Sequence, residues 1–196
     1  MRPVTASAHR ERARPSNLLI VGLRGCGKST VGRALGQAQG RLFVDLDELT
    51  PRWLGARDVA EAWARAGELR FRDAEAQALR SVLSGTGQVI ALGGGTPTAP
   101  GAAGAIEATA HEGRAVVAYL RCRPGVLRSR LSAQGADAQR NRPSLTGAGI
   151  LDEIDEVFAR RDGLYTRLAS RVIDAERSLD EVIAALEGWT AWASRE

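Results

Sequence analysis

Short apolar runs alternate along this chain with stretches whose apolar residues recur at helical spacing. Leu18-Leu19-Ile20-Val21 is one such run and ends at Gly22; Ser29 to Gln39 then sets Val31, Ala34, Leu35 and Ala38 on one helical face before Gly40. Leu42-Phe43-Val44 reads as a second strand ending at Asp45, and Val59 to Ala66 and Leu69 to Leu83 read as helices. Val89-Ile90-Ala91-Leu92 predicts a third strand that runs into Gly93-Gly94-Gly95. A weak helix near Ala102 to Ala110 precedes a fourth strand at Ala115 to Leu120, and Gly125 to Leu131 begins another helix. Two long helical stretches, Ile150 to Ser170 and Leu179 to Trp192, flank a last short strand at Arg171 to Asp174. Strands that are nearly continuous apolar runs and alternate with helices indicate an α/β fold with a parallel sheet covered on both faces. In such folds ligands bind beyond the carboxyl ends of the strands. Gly22 to Ser29, Asp45 to Asp47 and Gly93 to Gly95 each follow a strand directly, so the chemistry is expected on one edge of the sheet.

Composition narrows the class. With 196 residues, 44% apolar and 26% charged, one compact domain is expected. Cys26 and Cys122 are too few for a secreted disulfide framework, which fits a reducing, cytoplasmic setting. No apolar run approaches the ~20 residues of a membrane helix, and Met1 to Asn17 lacks the apolar core of a secretory signal. Residues 1–16 carry Arg2, Arg10, Arg12 and Arg14 against Glu11 alone, and so hold most of the formal net charge of +4. They read as a disordered basic tail; an organellar transit peptide shares that composition. Residues 17–196 are then a single, nearly neutral domain, which argues against a nucleic-acid partner. Ser132 to Gly149, small and polar and including Arg140 and Arg142, is long enough to be a mobile lid.

Of the 27 basic residues only Lys28 is a lysine, so position 28 needs a compact amine where the planar guanidinium fork fails. Gly22-Leu-Arg-Gly25-Cys26-Gly27-Lys28-Ser29 fits G-x-x-x-x-G-K-[ST], after a predicted strand and opening a predicted helix. Its glycines let backbone N–H groups converge on phosphate oxygens, Lys28 reaches the β- and γ-phosphates, and the Ser29 hydroxyl is placed to ligate Mg²⁺. Gly25 to Thr30 is therefore expected to hold ATP.

Other candidates are less specific. Asp45 and Asp47, two apart in an extended segment, lie on one side and suit Mg²⁺ and a substrate hydroxyl; equally, Asp47 caps the following helix and Asp45 ends the strand. Arg72 has Glu68 four residues before it and Glu75 three after, ordinary spacings for helix-surface ion pairs, and Arg161 stands between Arg160 and Asp162. Three glycines at a strand's carboxyl end let backbone approach a ligand closely. Trp63 and Phe71 read as core residues. His9 and His111 do not pair with the cysteines at zinc-ligand spacing, and Cys26 has no identifiable partner base.

Taken in order, these elements resemble shikimate kinase from Asn17 to Trp192: the cradle Gly22 to Thr30, Phe43-Val-Asp45-Leu-Asp47, Gly67-Glu68 to Phe71-Arg72 with Glu75, Gly93-Gly94-Gly95, Arg142-Pro143, and Arg161 four residues before Tyr165. The resemblance implies a P-loop kinase three-layer sandwich with strand order 2-3-1-4-5 and a mobile lid. It implies transfer of the ATP γ-phosphoryl group to the 3-hydroxyl of shikimate, with Mg²⁺, by a monomer. Carried over by position, Asp47 binds the acceptor hydroxyl, with general-base action left open, and Arg72 and Arg161 hold the shikimate carboxylate. Gly93, Gly94 and Gly95 present backbone to the ring. Arg142 closes over the γ-phosphate, Asp45 holds Mg²⁺ through water, and Arg130 lies against the adenine. Departures from the family pattern are Pro51 in place of an acidic residue, Ser144 in place of leucine, Asp162-Gly163 in place of the usual proline, a long lid, and one residue inserted between Gly55 and Gly67. They bear on lid kinetics and affinity. A gluconate-type kinase of the same fold is the nearest rival, and a non-catalytic sensing module a second; the retained Lys28, Asp47, Arg72 and Arg161 argue against both.

Overall fold

The computed structural model describes residues 16–134, 149 and 151–193. Among them, five strands form one parallel sheet in the order β2-β3-β1-β4-β5: β1 (Asn17–Val21), β2 (Phe43–Asp45), β3 (Val89–Ala91), β4 (Ala115–Arg121) and β5 (Arg171–Asp174). This is the order expected. The apolar runs are buried because helices cover both faces of the sheet, and β1, at its centre, is buried at every residue. Leu19 pairs with Ile90 on one side and with Val117 on the other. Asn17, a polar residue at the head of this buried strand, is accommodated because its amide donates to the Gly85 carbonyl at 2.8 Å and accepts from Gln88 N–H at 2.9 Å.

Helices follow the strands: α1 (Lys28–Gln39), α2 (Leu46–Trp53), α3 (Val59–Leu83), α4 (Ala102–His111), α5 (Pro124–Ala133), α6 (Ile154–Leu168) and α7 (Leu179–Ala193). The two helices expected between residues 59 and 83 run as one element, bent at Gly67, whose φ of 73° and ψ of 168° are not helical. The long C-terminal helix begins at Ile154, four residues later than the periodicity predicts, after a turn at Leu151–Glu153. Helix α2 carries Pro51 inside it and forms nonetheless, capped at its head by Asp45.

The order β2-β3-β1 places three segments side by side at the carboxyl edge: residues 22–29 after β1, 45–47 after β2 and 93–95 after β3. Helix α6 packs against β4 and brings Arg161 to the same edge. Residues 1–15 of the expected tail, and most of the expected lid with Arg142, Pro143 and Ser144, lie outside the described residues.

Candidate active site

The phosphate loop starts where β1 ends. Gly22, Gly25 and Gly27 have φ of 151°, 83° and 98°, values that favour glycine, and a Cβ on Gly22 would come within 2.7 Å of both Cys26 Sγ and the Leu120 carbonyl oxygen. Helix α1 has no side-chain cap at Gly27, which leaves its first N–H groups to an anion in the loop. Lys28 is buried, and its Nζ donates to the carbonyls of Gly22 at 2.9 Å and Leu23 at 3.1 Å. A compact ammonium fits between those two oxygens where a planar fork would not, which accounts for the chain's single lysine. Cys26 is buried beneath the loop, and Thr30 is exposed.

The two aspartates divide differently from the capping alternative. It is Asp45 that caps α2, its carboxylate accepting from Asp47 N–H at 2.9 Å, while Asp47 lines the cleft described below. Asp45 is buried and hydrogen-bonded to Ser29. Burial pushes its carboxyl pKa up, and the Ser29 bond opposes that rise. A carboxylate and a hydroxyl at the mouth of a phosphate loop are hard oxygen donors of the kind Mg²⁺ accepts alongside phosphate oxygens, so the donor set fits that ion. Among the described residues no group of three or more His, Cys, Asp or Glu side chains gathers to hold a metal.

Beside the loop lies a half-open cleft. Val59, Trp63, Phe71, Ile154 and Val157 supply apolar wall, and Arg24, Asp47, Arg72, Glu75, Glu153 and Arg161 supply its charges. Trp63 and Phe71 do pack on each other, ring centroids 5.4 Å apart, but both also face this cleft, so reading them as core alone is incomplete.

Arg72 is fixed from several directions. Its Nη1 donates to Glu75 Oε2 at 2.5 Å, its guanidinium lies over the Trp63 ring at 5.1 Å, and Glu68 stands farther off at 3.9 Å. Both spacings predicted for surface ion pairs are realised, yet the shorter pair is buried, with Glu75 only 3% exposed. Glu75 also accepts from Thr96 Oγ1 at 3.1 Å. Burial raises its carboxyl pKa; the Arg72 charge and hydrogen bond oppose the rise, and the Asp47 charge adds to it.

Two of the three consecutive glycines have a reason closer than a ligand. A Cβ on Gly93 would stand 2.5 Å from Asp47 Oδ1, and one on Gly95 would stand 2.3 Å from Arg72 Nη1. The side chains that give the cleft its charge cross directly over this backbone. Between them, the Gly94 carbonyl accepts from Arg161 Nη1 at 2.6 Å and from the Tyr165 hydroxyl at 2.5 Å. Burial pushes the Tyr165 phenol up to about 12, so it remains a donor.

Arg130 sits apart from this cleft, half-buried in the last turn of α5, where its charge is felt by Cys122 and Glu176. Burial pushes the Cys122 thiol up to about 11, which leaves it protonated and unreactive. Sequence reasoning assigned no site role to Glu75, Trp63 or Thr96. A glutamate three residues after Arg72 was the one visible signal; Thr96 joins the cluster only through the fold.

Comparison with known proteins completes the picture. A shikimate kinase family profile matches residues 24–187. The chain is similar to shikimate kinase 2 of Sodalis glossinidius (strain morsitans), 40% identical over 170 residues that span 87% of this chain and 92% of the relative. It is 37% identical to the shikimate kinase of Rhodopirellula baltica over 174 residues, 88% of this chain and 89% of that one. Its fold matches a solved shikimate kinase from Acinetobacter baumannii in complex with shikimate, with a TM-score of 0.78, 27% identity, and coverage of 92% of this chain and 95% of the other.

Proposed function

The chain belongs to the shikimate kinase family, ATP-dependent kinases of the shikimate pathway, and from that premise we propose how its residues divide the work on the 3-hydroxyl of shikimate. The observation that carries the assignment is the single edge on which a phosphate loop meets a cleft that holds Asp47, Arg72 and Arg161. Lys28 Nζ has three donors and spends two on the Gly22 and Leu23 carbonyls, which leaves one for a phosphate oxygen. Gly25 to Thr30 present the loop's N–H groups to the β- and γ-phosphates of ATP. Ser29 and Asp45 hold Mg²⁺, which when bound neutralises phosphate charge.

In the cleft, Arg72 and Arg161 grip the acceptor's carboxylate. Each spends a donor on its anchor, Glu75 for Arg72 and the Gly94 carbonyl for Arg161, and has further N–H groups to offer the ligand. The apolar wall at Trp63 and Phe71 takes the carbon face of the ring, and Gly93, Gly94 and Gly95 bring backbone close to it. Asp47 accepts the hydrogen bond of the acceptor hydroxyl and aims its oxygen at the γ-phosphorus. The new oxygen–phosphorus bond forms as the bond to the β-phosphate oxygen breaks, so positioning and charge neutralisation are the main tasks. Arg142, from the expected lid, covers the γ-phosphate and excludes water, and Arg130 lies against the adenine.

Every group named comes from one chain, which supports a working monomer, and the two free, buried cysteines fit a reducing, cytoplasmic setting. The test is ADP release by the purified protein with Mg²⁺ and ATP in the presence of shikimate, gluconate, quinate or no acceptor. Release that depends on shikimate is expected. Release with gluconate instead, or none with ATP binding intact, would overturn the assignment.

A further inference from the structure

Arg161 is held over Gly94 by its bond to that carbonyl and by a side-chain hydrogen bond with Tyr165, on a long side chain that projects from a helix with a glycine two residues on. Gly163 lies inside α6, and glycine in a helix interior is destabilising relative to alanine, so the helix is intrinsically weak beside this arginine. Its neighbour Asp162 points the other way, to the carboxyl end of β4. There Asp162 Oδ1 accepts from the Tyr119 hydroxyl at 2.8 Å and from Arg121 Nε at 2.8 Å, and Oδ2 accepts from Arg121 Nη2 at 3.0 Å. The Arg121 fork is thus bidentate, and its guanidinium also lies over the Phe158 ring of the same helix, 5.4 Å from the centroid. One turn along α6, Tyr165 packs edge-on against Tyr119, ring centroids 5.4 Å apart, and donates to the same Gly94 carbonyl that Arg161 holds. A continuous path therefore joins β4 to Arg161: Arg121 and Tyr119 to Asp162, Tyr119 to Tyr165, Tyr165 and Arg161 to Gly94.

From this arrangement we infer that Asp162 is a positioning residue for the acceptor: by clamping α6 to the end of β4 it sets the register at which Arg161 meets the substrate carboxylate. The phosphate loop is anchored independently, through Lys28 and the loop carbonyls. Loss of the clamp consequently falls on one substrate and spares the other. Charge supports the geometry, since the Arg121 hydrogen bond holds the Asp162 carboxyl below its ordinary range, and Tyr119, buried and facing that carboxylate, keeps its proton to donate.

The inference rests on the reading that Arg161 grips the acceptor's carboxylate, and the test separates the two. Steady-state kinetics of Asp162→Asn, Tyr119→Phe and Arg161→Ala would be measured with each substrate varied in turn, alongside thermal unfolding. For Asp162→Asn the expected result is a rise of about tenfold in KM for shikimate, with kcat and KM for ATP within about twofold of the parent, the scale of one or two hydrogen bonds of ordering. Tyr119→Phe should move shikimate KM in the same direction by about threefold, and it decides the matter if Asp162→Asn does not fold. A folded Asp162→Asn with unchanged shikimate KM, or with both KM values raised equally, overturns the inference. If Arg161→Ala raises shikimate KM while Asp162→Asn does not, Asp162 alone loses its role; if Arg161→Ala leaves shikimate KM unchanged, the carboxylate assignment falls and the inference with it.

Discussion

The two halves of the active edge are built on different principles. The phosphate loop is local: eight consecutive residues, Gly22 to Ser29, make a backbone shape, and its lysine folds back on the carbonyls of that same loop. The acceptor cleft is composite. Its charges come from α2, α3, α6 and the residue before it, and from Arg24 of the loop itself; Arg72 and Arg161 are held by partners outside the loop, Glu75 and Trp63 for Arg72 and Gly94 for Arg161. A loop made of backbone suits a ligand part that every ATP-dependent kinase shares. A cage of side chains, each replaceable without breaking the loop, suits the part by which such kinases differ.

That contrast is sharpest at Lys28. Lys28→Ala should lower turnover at least about a hundredfold, the scale of losing one preorganised donor to a transferring phosphoryl group, with the fold intact by circular dichroism. Near-normal turnover in a folded variant would remove the lysine from the mechanism. Arg161→Ala should weaken shikimate binding by roughly 2 kcal/mol or more, the cost of a lost charge-assisted pair, and leave ATP binding almost unchanged in titration calorimetry. Equal losses for both ligands would show that the two halves are not separable.

Gly95→Ala offers a finer cut. The added methyl would meet Arg72 Nη1 at 2.3 Å, and because that is the end of a long side chain, the arginine rather than the backbone gives way. Shikimate KM is expected to rise about tenfold with little change in melting temperature. A large drop in melting temperature with unchanged KM would mean that the backbone yields instead.

The smallest effect lies away from both halves. Glu176 accepts from the Arg123 side chain and from its backbone N–H, and these hydrogen bonds hold its carboxyl at about 2. A carboxylate depressed in the folded state contributes stability above its unfolded pKa and loses it as pH falls towards the folded value. Glu176→Gln should therefore lower the melting temperature slightly at neutral pH and leave it unchanged near pH 2, flattening the fall between the ordinary glutamate range and pH 2; the effect is small because the pair is at the surface. An unchanged acid limb would show that the pair contributes nothing there.

Legibility followed the same division. Strand β1, helix α1 and the loop between them were readable because an apolar run, a glycine pattern and helical spacing are all local signals. The three segments at the carboxyl edge were also visible, each following a strand. What could not be read was which residues meet. Glu75 was seen as a partner for Arg72 but not as a buried one, and its bond to Thr96 joins residues 21 apart. The bend at Gly67 let the two stretches expected as separate helices run as one, and α6 starts later than its periodicity because Leu151–Glu153 make a turn. Which aspartate caps α2 is not legible, since both Asp45 and Asp47 suit a helix head and only the exit from β2 decides between them.

By itself, then, the sequence determined the strand order through its resemblance, the phosphate loop, the need for one lysine, and the residue types of the cleft beside it. Tertiary structure alone decided that Gly93 and Gly95 lack side chains because Asp47 and Arg72 cross over them, that Trp63 faces Arg72, and that Asp162 ties the arginine helix to β4. The reason is range: backbone conformation and periodicity are set by neighbours a few residues apart, whereas a buried ion pair or a shared carbonyl depends on contacts that exist only after distant strands have paired.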